Sequence, residues 1–495
     1  MEQLLTDDVR RRILAEITPT RKELDLQNTV IQTLIDALAN HTGSQQFSYS
    51  FIEAQGSTGK KQTQLRGAAD IDLFVGLIPD EYGNILEQPL PKRHKAIDDL
   101  MNWMIKNWFE PAVDRLNVVN VQRAFSQHPF LSLRMNGLEI DILGCFDISA
   151  DHLSREGPYT AVDRTVHHTR YIAEAITRVK REDARILKSF VRASHAYGDQ
   201  CAVGRMGITG VSLEILSIIS DDLTHAFENL ELLIDRPIDP QYRPVKTLRN
   251  NSTFKDDYII LIDPTDHKRN IASSFTPRAY EWVRHRICNL RDATNLNDID
   301  EVLNIILESP IPTTDIPRWL ARHAFVFEFR SDGTRHYTIL RDKLYRIARK
   351  IEIALQSERT GEVRFGDTLS EVYFEDNRYS VGFLVETPEI SDHYVRRGPP
   401  VALVDACVEF RNNHQEVVER DGFLWTTERR AWVNPKSLID QVLEDSPVMG
   451  LVPIEKPSEV SKKVLNVLYR YILPIEQAFS EKMTRVKDRD PDNPR

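Results

Sequence analysis

Cysteine is scarce in this chain. There are four in 495 residues, Cys145, Cys201, Cys288 and Cys407, and no two fall at C-x-x-C spacing. That argues against both a structural zinc site and a disulfide framework, and it suits a reducing compartment, so a cytoplasmic location is expected. A run of 18 apolar residues is also missing, so no membrane span is expected. The first residues, MEQLLTDDVRRRILAEITPT, have charges scattered through them and read as an amphipathic helix rather than a signal peptide. Internal repeats and long low-complexity segments are absent too. Finally, positive charge is not in excess: 64 Lys and Arg against 74 Asp and Glu leave a net charge of −10. Such a total disfavours a polyanion unless the basic residues cluster. They do cluster. Arg178, Lys180, Arg181, Arg185, Lys188 and Arg192 crowd one predicted helix, and Arg341, Lys343, Arg346, Arg349 and Lys350 crowd another. Each is either a solvated face or an RNA-binding one.

What the chain does contain is an acidic pair behind a glycine-rich loop. In GSTGKKQTQLRGAADIDLFV, twelve residues separate Ser57 from Asp70, and Asp72 follows two further on. A strand places residues i and i+2 on one face, so Asp70 and Asp72 can grip one hard cation. Gly56 lets the backbone approach a ligand closely, and neighbouring N–H groups can bind a phosphate. The segment GLEIDILGCF (137–146) alternates as a second strand with Glu139 and Asp141 on one side. Laid beside the first strand, Asp141 joins Asp70 and Asp72. A phosphate cradle beside three carboxylates is the kit for Mg²⁺-dependent attack on a nucleoside triphosphate. The pattern resembles the polymerase-beta nucleotidyltransferase superfamily.

At this length the chain is too long for one core. It reads as a multidomain α+β protein. Residues 1–148 suggest a nucleotidyltransferase head with strands and helices, and 149–300 a mainly helical neck, with helices near 166–179, 182–196, 209–219 and 223–233. The Pro-rich IDRPIDPQYRPVK interrupts that run, YIILIDP reads as a short strand, and SPIPTTDIP (309–317) reads as a linker. Residues 301–480 suggest an α+β body and tail with antiparallel sheets, and 481–495, charged and Pro-containing, are expected to be disordered.

Two central segments narrow the resemblance: TAVDRTVHHTRYI (160–172) with ARILKSFVRASHAYG (184–198), and IDPTDHKRNIASSF (262–275). With the head signature, and with RRGPPV (396–401) and RDGFLWTTERRAW (420–432) farther on, they resemble the archaeal-type (class I) CCA-adding tRNA nucleotidyltransferases. The resemblance implies template-independent building of the 3′-terminal CCA of tRNA from CTP and ATP. It implies two Mg²⁺ ions, an active site between head and neck, and a body and tail that hold the acceptor end and elbow of tRNA. A homodimer is compatible with this reading but not required by it. By the same resemblance Asp70, Asp72 and Asp141 are the catalytic and metal-binding carboxylates. Gly56, Ser57, Lys60, His168, Lys188 and Tyr197 bind the nucleotide, and Arg269 reads its base. The family's loop arginine is replaced here by the lysines of GKKQT, either Lys60 or Lys61, and the proline usual after D-R-T is Val166. The alternative is a signalling nucleotidyltransferase of the oligoadenylate or cyclic-oligonucleotide type, which shares the head signature but is not expected to carry the two central segments.

Overall fold

In the computed structural model, which describes residues 4–68, 70–125 and 128–489, contacts divide the chain into two compact units. The first comprises Met1–Cys201 and Met206–Ser309, the second Ala202–Arg205 and Pro310–Arg495.

The first unit begins with two capped helices. Thr6 starts α1 (Asp7–Ile17) by accepting from the Val9 N–H. Thr20 and Glu23 form a reciprocal capping box at α2 (Arg21–Asn40), which satisfies two of the N–H groups a helix start leaves open. Val30, Leu34 and Leu38 then form the buried stripe of α2. A five-stranded sheet follows, built from β1 (Tyr49–Gln55), β2 (Asp70–Leu77), β3 (Val118–Phe125), β4 (Pro129–Met135) and β5 (Leu138–Phe146). Its order is β1-β2-β5-β4-β3, with β2 and β5 parallel and every other pair antiparallel.

This sheet has two working faces. Ile71, Leu73, Val75 and Leu77 of β2, with Ile140 and Ile142 of β5, enter the core shared with α2 and α3 (Leu90–Met104). Trp108 is fully buried there and donates its indole N–H to the Leu38 carbonyl at 2.8 Å. Gly144 shares that face because a Cβ would sit 2.5 Å from the Met101 sulfur. The opposite face carries Phe74, Leu143 and Cys145, which pack on Val166 of α4 (Asp163–Ala175). By strand parity Asp70, Asp72 and Asp141 lie on this second face, toward the helical part of the unit. That part continues with α5 (Arg178–Ala193), α6 (Gly210–Ile219), α7 (Leu223–Glu231), α8 (Pro277–Asn295) and α9 (Ile299–Ile306).

The second unit has strands β6 (Ala324–Ser331), β7 (Thr368–Glu375), β8 (Arg378–Val385), β9 (His393–Pro400), β10 (Val418–Arg420), β11 (Phe423–Arg429) and β12 (Leu451–Ile454). They form two antiparallel sheets, β12-β6-β8-β7 and β10-β11-β9. Its helices are α10 (Tyr337–Gln356), α11 (Val404–Asn413), α12 (Pro435–Asp445), α13 (Glu459–Val467) and α14 (Gln477–Arg489). Leu340, Leu344, Ile347, Ile351 and Leu355 of α10 pack on the larger sheet, while Arg346, Arg349 and Lys350 face solvent. The architecture is multidomain α+β, with a mixed sheet in the head and antiparallel sheets in the second unit, as the sequence led us to expect.

Four details differ from the sequence reading. The division between units falls at Ser309/Pro310, so α9 stays with the first unit rather than with a body starting at 301. It is tied there by Ser189, which donates to the Ile306 carbonyl at 2.7 Å, and by Arg286, which donates to the Ile305 carbonyl at 2.9 Å. The helix expected near 166–179 ends at Ala175, because Thr177 caps the next one. YIILIDP forms only isolated bridges. The Asn270 side chain accepts from the Leu261 N–H and donates to the Ile259 carbonyl, replacing a strand partner. Residues 481–489 are helical as the second half of α14, whereas 490–495 lie outside the described residues.

The head core makes a direct test of this packing. Ile142 is fully buried at the centre of β5. Replacing it by alanine leaves a cavity, and Ile142→Ala should destabilise the head by about 2–5 kcal/mol. Urea unfolding followed by tryptophan fluorescence measures the loss, and a value under about 1 kcal/mol would mean that the site collapses freely.

Candidate active site between head sheet and neck helices

Strand register builds the acidic half of the site. Across the parallel β2–β5 pair, Asp70 lies opposite Glu139 and Asp72 opposite Asp141. Glu139 is ion-paired with Arg134 of the neighbouring strand. Burial, then the charges of Asp141 and Asp70, push Asp72 up to about 7, with Lys61 pulling the other way. Asp70 and Asp141 are raised as well, in both cases by burial first. Glu139 adds to the rise at both, while Arg192 opposes it at Asp70 and a Ser132 hydrogen bond at Asp141. The like charges destabilise one another. Among the described residues no three His, Cys, Asp or Glu side chains stand close enough to hold one ion as they are. The donors are nonetheless carboxylate oxygens, the set that suits a hard divalent cation.

The loop from Gly56 lies over these carboxylates. Gly56 has φ +64°, and a Cβ there would meet an Asp72 oxygen at 2.5 Å, so both conformation and space demand glycine. Thr58 ties the loop to β2 by donating to the Asp70 carbonyl at 2.9 Å, and the Thr63 N–H donates to the Ser57 carbonyl at 3.0 Å. Gln55, just before the loop and opposite Asp72, is buried with neither side-chain amide atom hydrogen-bonded.

The basic residues of α5 grip this loop from the other side. Arg181 donates to the Lys61 carbonyl at 2.9 Å, Arg185 to the Gln62 and Gln64 carbonyls at 2.6 and 3.1 Å, and Lys188 to the Thr63 carbonyl at 3.2 Å. Four consecutive carbonyls are therefore held by residues spaced i, i+4 and i+7, one face of a helix. Half of the charge cluster that the sequence offered as a solvated or RNA-binding face points inward.

Of the two loop lysines, it is Lys61 that enters the pocket. Lys60 is exposed and pairs with Glu53 at 3.0 Å. Lys61 is buried, 2.8 Å from Glu214 of α6. Lys188 reaches the other oxygen of Glu214 at 2.6 Å and the Thr63 hydroxyl at 2.9 Å, and that hydroxyl in turn donates to Glu214. Burial opposes ionisation of Glu214, yet Lys188 and Lys61 hold it down to about 2. Tyr197 ends beside them: a Cβ at Gly210 would collide with its hydroxyl and approach the Lys188 stem. Burial and then Glu214 push the Tyr197 phenol up to about 12.

His168 and Arg269 belong to a second group. His168 Nε2 lies 2.6 Å from Asp263, and Arg269 shares that carboxylate at 3.7 Å. Burial would raise Asp263, but the His168 and Thr265 hydrogen bonds hold it down to about 2. The surrounding loop is made of side-chain turns: Asp263 accepts from the Thr265 N–H and hydroxyl, and Asp266 from the Lys268 N–H and from Arg164. Glu214 and Thr63 escaped the sequence reading. Only Glu214 leaves a signal there, as a lone carboxylate in the apolar GVSLEILSII, since a buried charge requires a partner.

The similarity to known proteins marks the chain as a nucleotidyltransferase. The family described as tRNA nucleotidyltransferase, second domain, matches residues 182–296, the stretch that carries Lys188, Tyr197, Glu214 and Arg269. The chain is similar to the CCA-adding enzyme of Sulfurisphaera tokodaii, 22% identical over 432 residues, which span 86% of this chain and 89% of that one. It is 29% identical to the CCA-adding enzyme of Thermococcus gammatolerans over 227 residues, 44% of this chain and 45% of that one. Among solved structures, CdnC of E. coli MS115-1 with ATP aligns with a TM-score of 0.43 at 16% identity, covering 62% of this chain and 99% of that one. No helix among the described residues is long and apolar enough to cross a membrane.

The acidic face carries a stability prediction. The pKa of Asp72 is raised from 3.8 to about 7 in the folded state, so folding favours the protonated form. The penalty is absent below the unfolded pKa, grows as pH rises from 3.8, and levels off above about 7. The uncharged isostere escapes it. In metal-free buffer Asp72→Asn should be more stable than wild type at about pH 8, by a few kcal/mol, with the gap closing toward about pH 4. Thermal unfolding across that range is the measurement, and a pH-independent difference would show that this carboxylate is not under strain.

Proposed function

We propose that this protein adds the 3′-terminal CCA sequence to tRNA, taking CTP and ATP and releasing pyrophosphate, with two Mg²⁺ ions held by Asp70, Asp72 and Asp141. The observation that carries the reading is the parallel register that sets Asp72 beside Asp141, facing a pocket with the buried cations Lys61 and Lys188. The similarity to CCA-adding enzymes along most of the chain supports the choice of tRNA.

The residues divide the work. Bound between the aspartates, divalent ions would favour deprotonation of the RNA 3′-hydroxyl and screen charge on the departing pyrophosphate. Asp70 and Asp72 have their charges on the same sheet face as Asp141, so all three orient toward one reacting centre. The backbone around Gly56 and Ser57 cradles phosphate oxygens, a role that favours a residue without a Cβ at position 56. Lys188 and Tyr197 neutralise and hydrogen-bond the triphosphate. His168 works one step removed, through Asp263, which braces the loop of Arg269. Arg269 presents a planar fork of donors that matches acceptors on cytosine and adenine. The exposed Arg346, Arg349 and Lys350 of α10 offer a basic face for tRNA phosphates despite the acidic total.

Purified protein incubated with Mg²⁺, labelled CTP or ATP, and tRNA lacking its last three nucleotides should extend that RNA by three. Asp70→Ala or Asp72→Ala should abolish the extension and leave tRNA binding largely intact, because binding is spread over a wide surface. Turnover above a few per cent of wild type in either variant would overturn the carboxylate assignment. Oligonucleotide products made without RNA would favour the signalling alternative instead.

Base choice gives a separate test. A pocket that reads by hydrogen bonds rejects a wrong base because its own polar groups are left unpaired. Arg269→Ala should therefore raise misincorporation of U and G relative to C and A by about tenfold, besides slowing addition. Single-turnover assays with the four triphosphates on tRNAs ending before each of the three positions decide it. Equal slowing with all four would assign Arg269 to structure or phosphate.

A further inference from the structure

We propose that Glu214 is a positioning residue that presents Lys61 and Lys188 as a fixed pair of ammonium groups to the triphosphate of the incoming nucleotide. The proposal rests on the reading of this pocket as a nucleoside triphosphate site.

Charge count comes first. Lys61, Lys188 and Glu214 have side chains only 6%, 3% and 1% exposed. Two ammonium groups share one carboxylate, so the cluster carries one net positive charge with almost no water to screen it. Buried charge of that kind favours an anionic partner, and a polyphosphate is one.

Donor count separates the two lysines. An ammonium has three N–H groups. Those of Lys188 are all engaged, by the Thr63 carbonyl at 3.2 Å, the Thr63 hydroxyl at 2.9 Å and Glu214 at 2.6 Å. Among the described residues Lys61 makes a single hydrogen bond, to Glu214 at 2.8 Å, which leaves two N–H groups over. Its loop passes over the carboxylates, where a Cβ at Gly56 would meet an Asp72 oxygen at 2.5 Å. Glu214 thus holds the ammonium groups of both cations, and Lys61 is the one with donors left for a phosphate. Thr63 completes the arrangement by joining Lys188 to Glu214.

The probe is inorganic tripolyphosphate, titrated calorimetrically into the full-length protein at fixed salt. Lys61→Met and Glu214→Asp, the latter keeping the charge but withdrawing it by one methylene, should each weaken binding by about tenfold. The double variant should be weaker than the worse single by no more than about threefold, because both substitutions disable one device. Circular dichroism and thermal unfolding establish that each variant is folded. A folded Glu214→Asp protein that binds like wild type, or effects that multiply in the double variant, would overturn the proposal. Should Glu214→Asp fail to fold, Thr63→Val keeps both charges and removes only the bridging hydroxyl. Its expected loss is about threefold, and wild-type affinity would count against the proposal equally. The probe has no base, sugar or RNA, which separates the two readings. Wild-type protein that binds it as described but adds nothing to tRNA sinks the CCA-adding reading alone. Wild-type protein that extends tRNA, with all these variants binding tripolyphosphate normally, sinks this proposal alone.

Discussion

Like charge crowded onto one sheet face is the constraint around which the first unit is organised. Parallel pairing of β2 and β5 leaves Asp70, Asp72 and Asp141 no choice of side, because strand parity assigns them all to the face away from the main core. Each is pushed toward protonation by lost water and by its neighbours. A fold does not keep such an arrangement for stability. It is kept by the apolar residues that alternate with the aspartates, Ile71, Leu73 and Val75 on one strand and Ile140 and Ile142 on the other, all fully buried. Their burial outweighs the electrostatic penalty.

The helical half answers with positive charge, but through geometry rather than abundance. Arg181, Arg185 and Lys188 lie along one face of α5 and take hold of the carbonyls of residues 61–64. That grip fixes the loop leading from Ser57 to Asp70, and it brings Lys61 inside. An acidic protein can therefore present a cationic pocket: the local balance of a few buried groups matters more there than the total of −10. Glu214 makes the concentration of cations possible, since without it two ammonium groups a few ångströms apart would repel each other in a medium of low dielectric.

Around Arg269 the logic is different. The loop at 262–270 contains almost no regular structure, and its shape comes from short side chains that imitate backbone. Asp263, Asp266 and Asn270 each accept from an N–H two residues onward. Asp263 then serves both His168 and Arg269. A single carboxylate so links the helix after the head to the arginine proposed to read the base, giving that flexible side chain a defined starting position.

Much of this could be read without coordinates. Alternation in ADIDLFV and GLEIDILGCF is a local property, so the two acidic strands and the shared face of Asp70 and Asp72 followed from the period of two. The helices of the neck and the capped start of α2 are also local in origin, set by apolar spacing and by Thr, Asp and Glu at the ends. The glycine at position 56 could be anticipated, although its reason, the Asp72 oxygen it accommodates, could not. Tertiary structure decided everything that joins segments far apart in the chain. Lys61 and Glu214 are separated by 153 positions, and His168 and Asp263 by 95, and neither member of either pair carries a local mark of its partner. That Lys61 is buried and Lys60 exposed depends on which side of the loop faces α5, a matter of one residue in register. The inward basic face of α5 was ambiguous for the same reason: a row of cations looks alike whether it meets water, RNA or the carbonyls of its own chain, and only packing determines which of them is there.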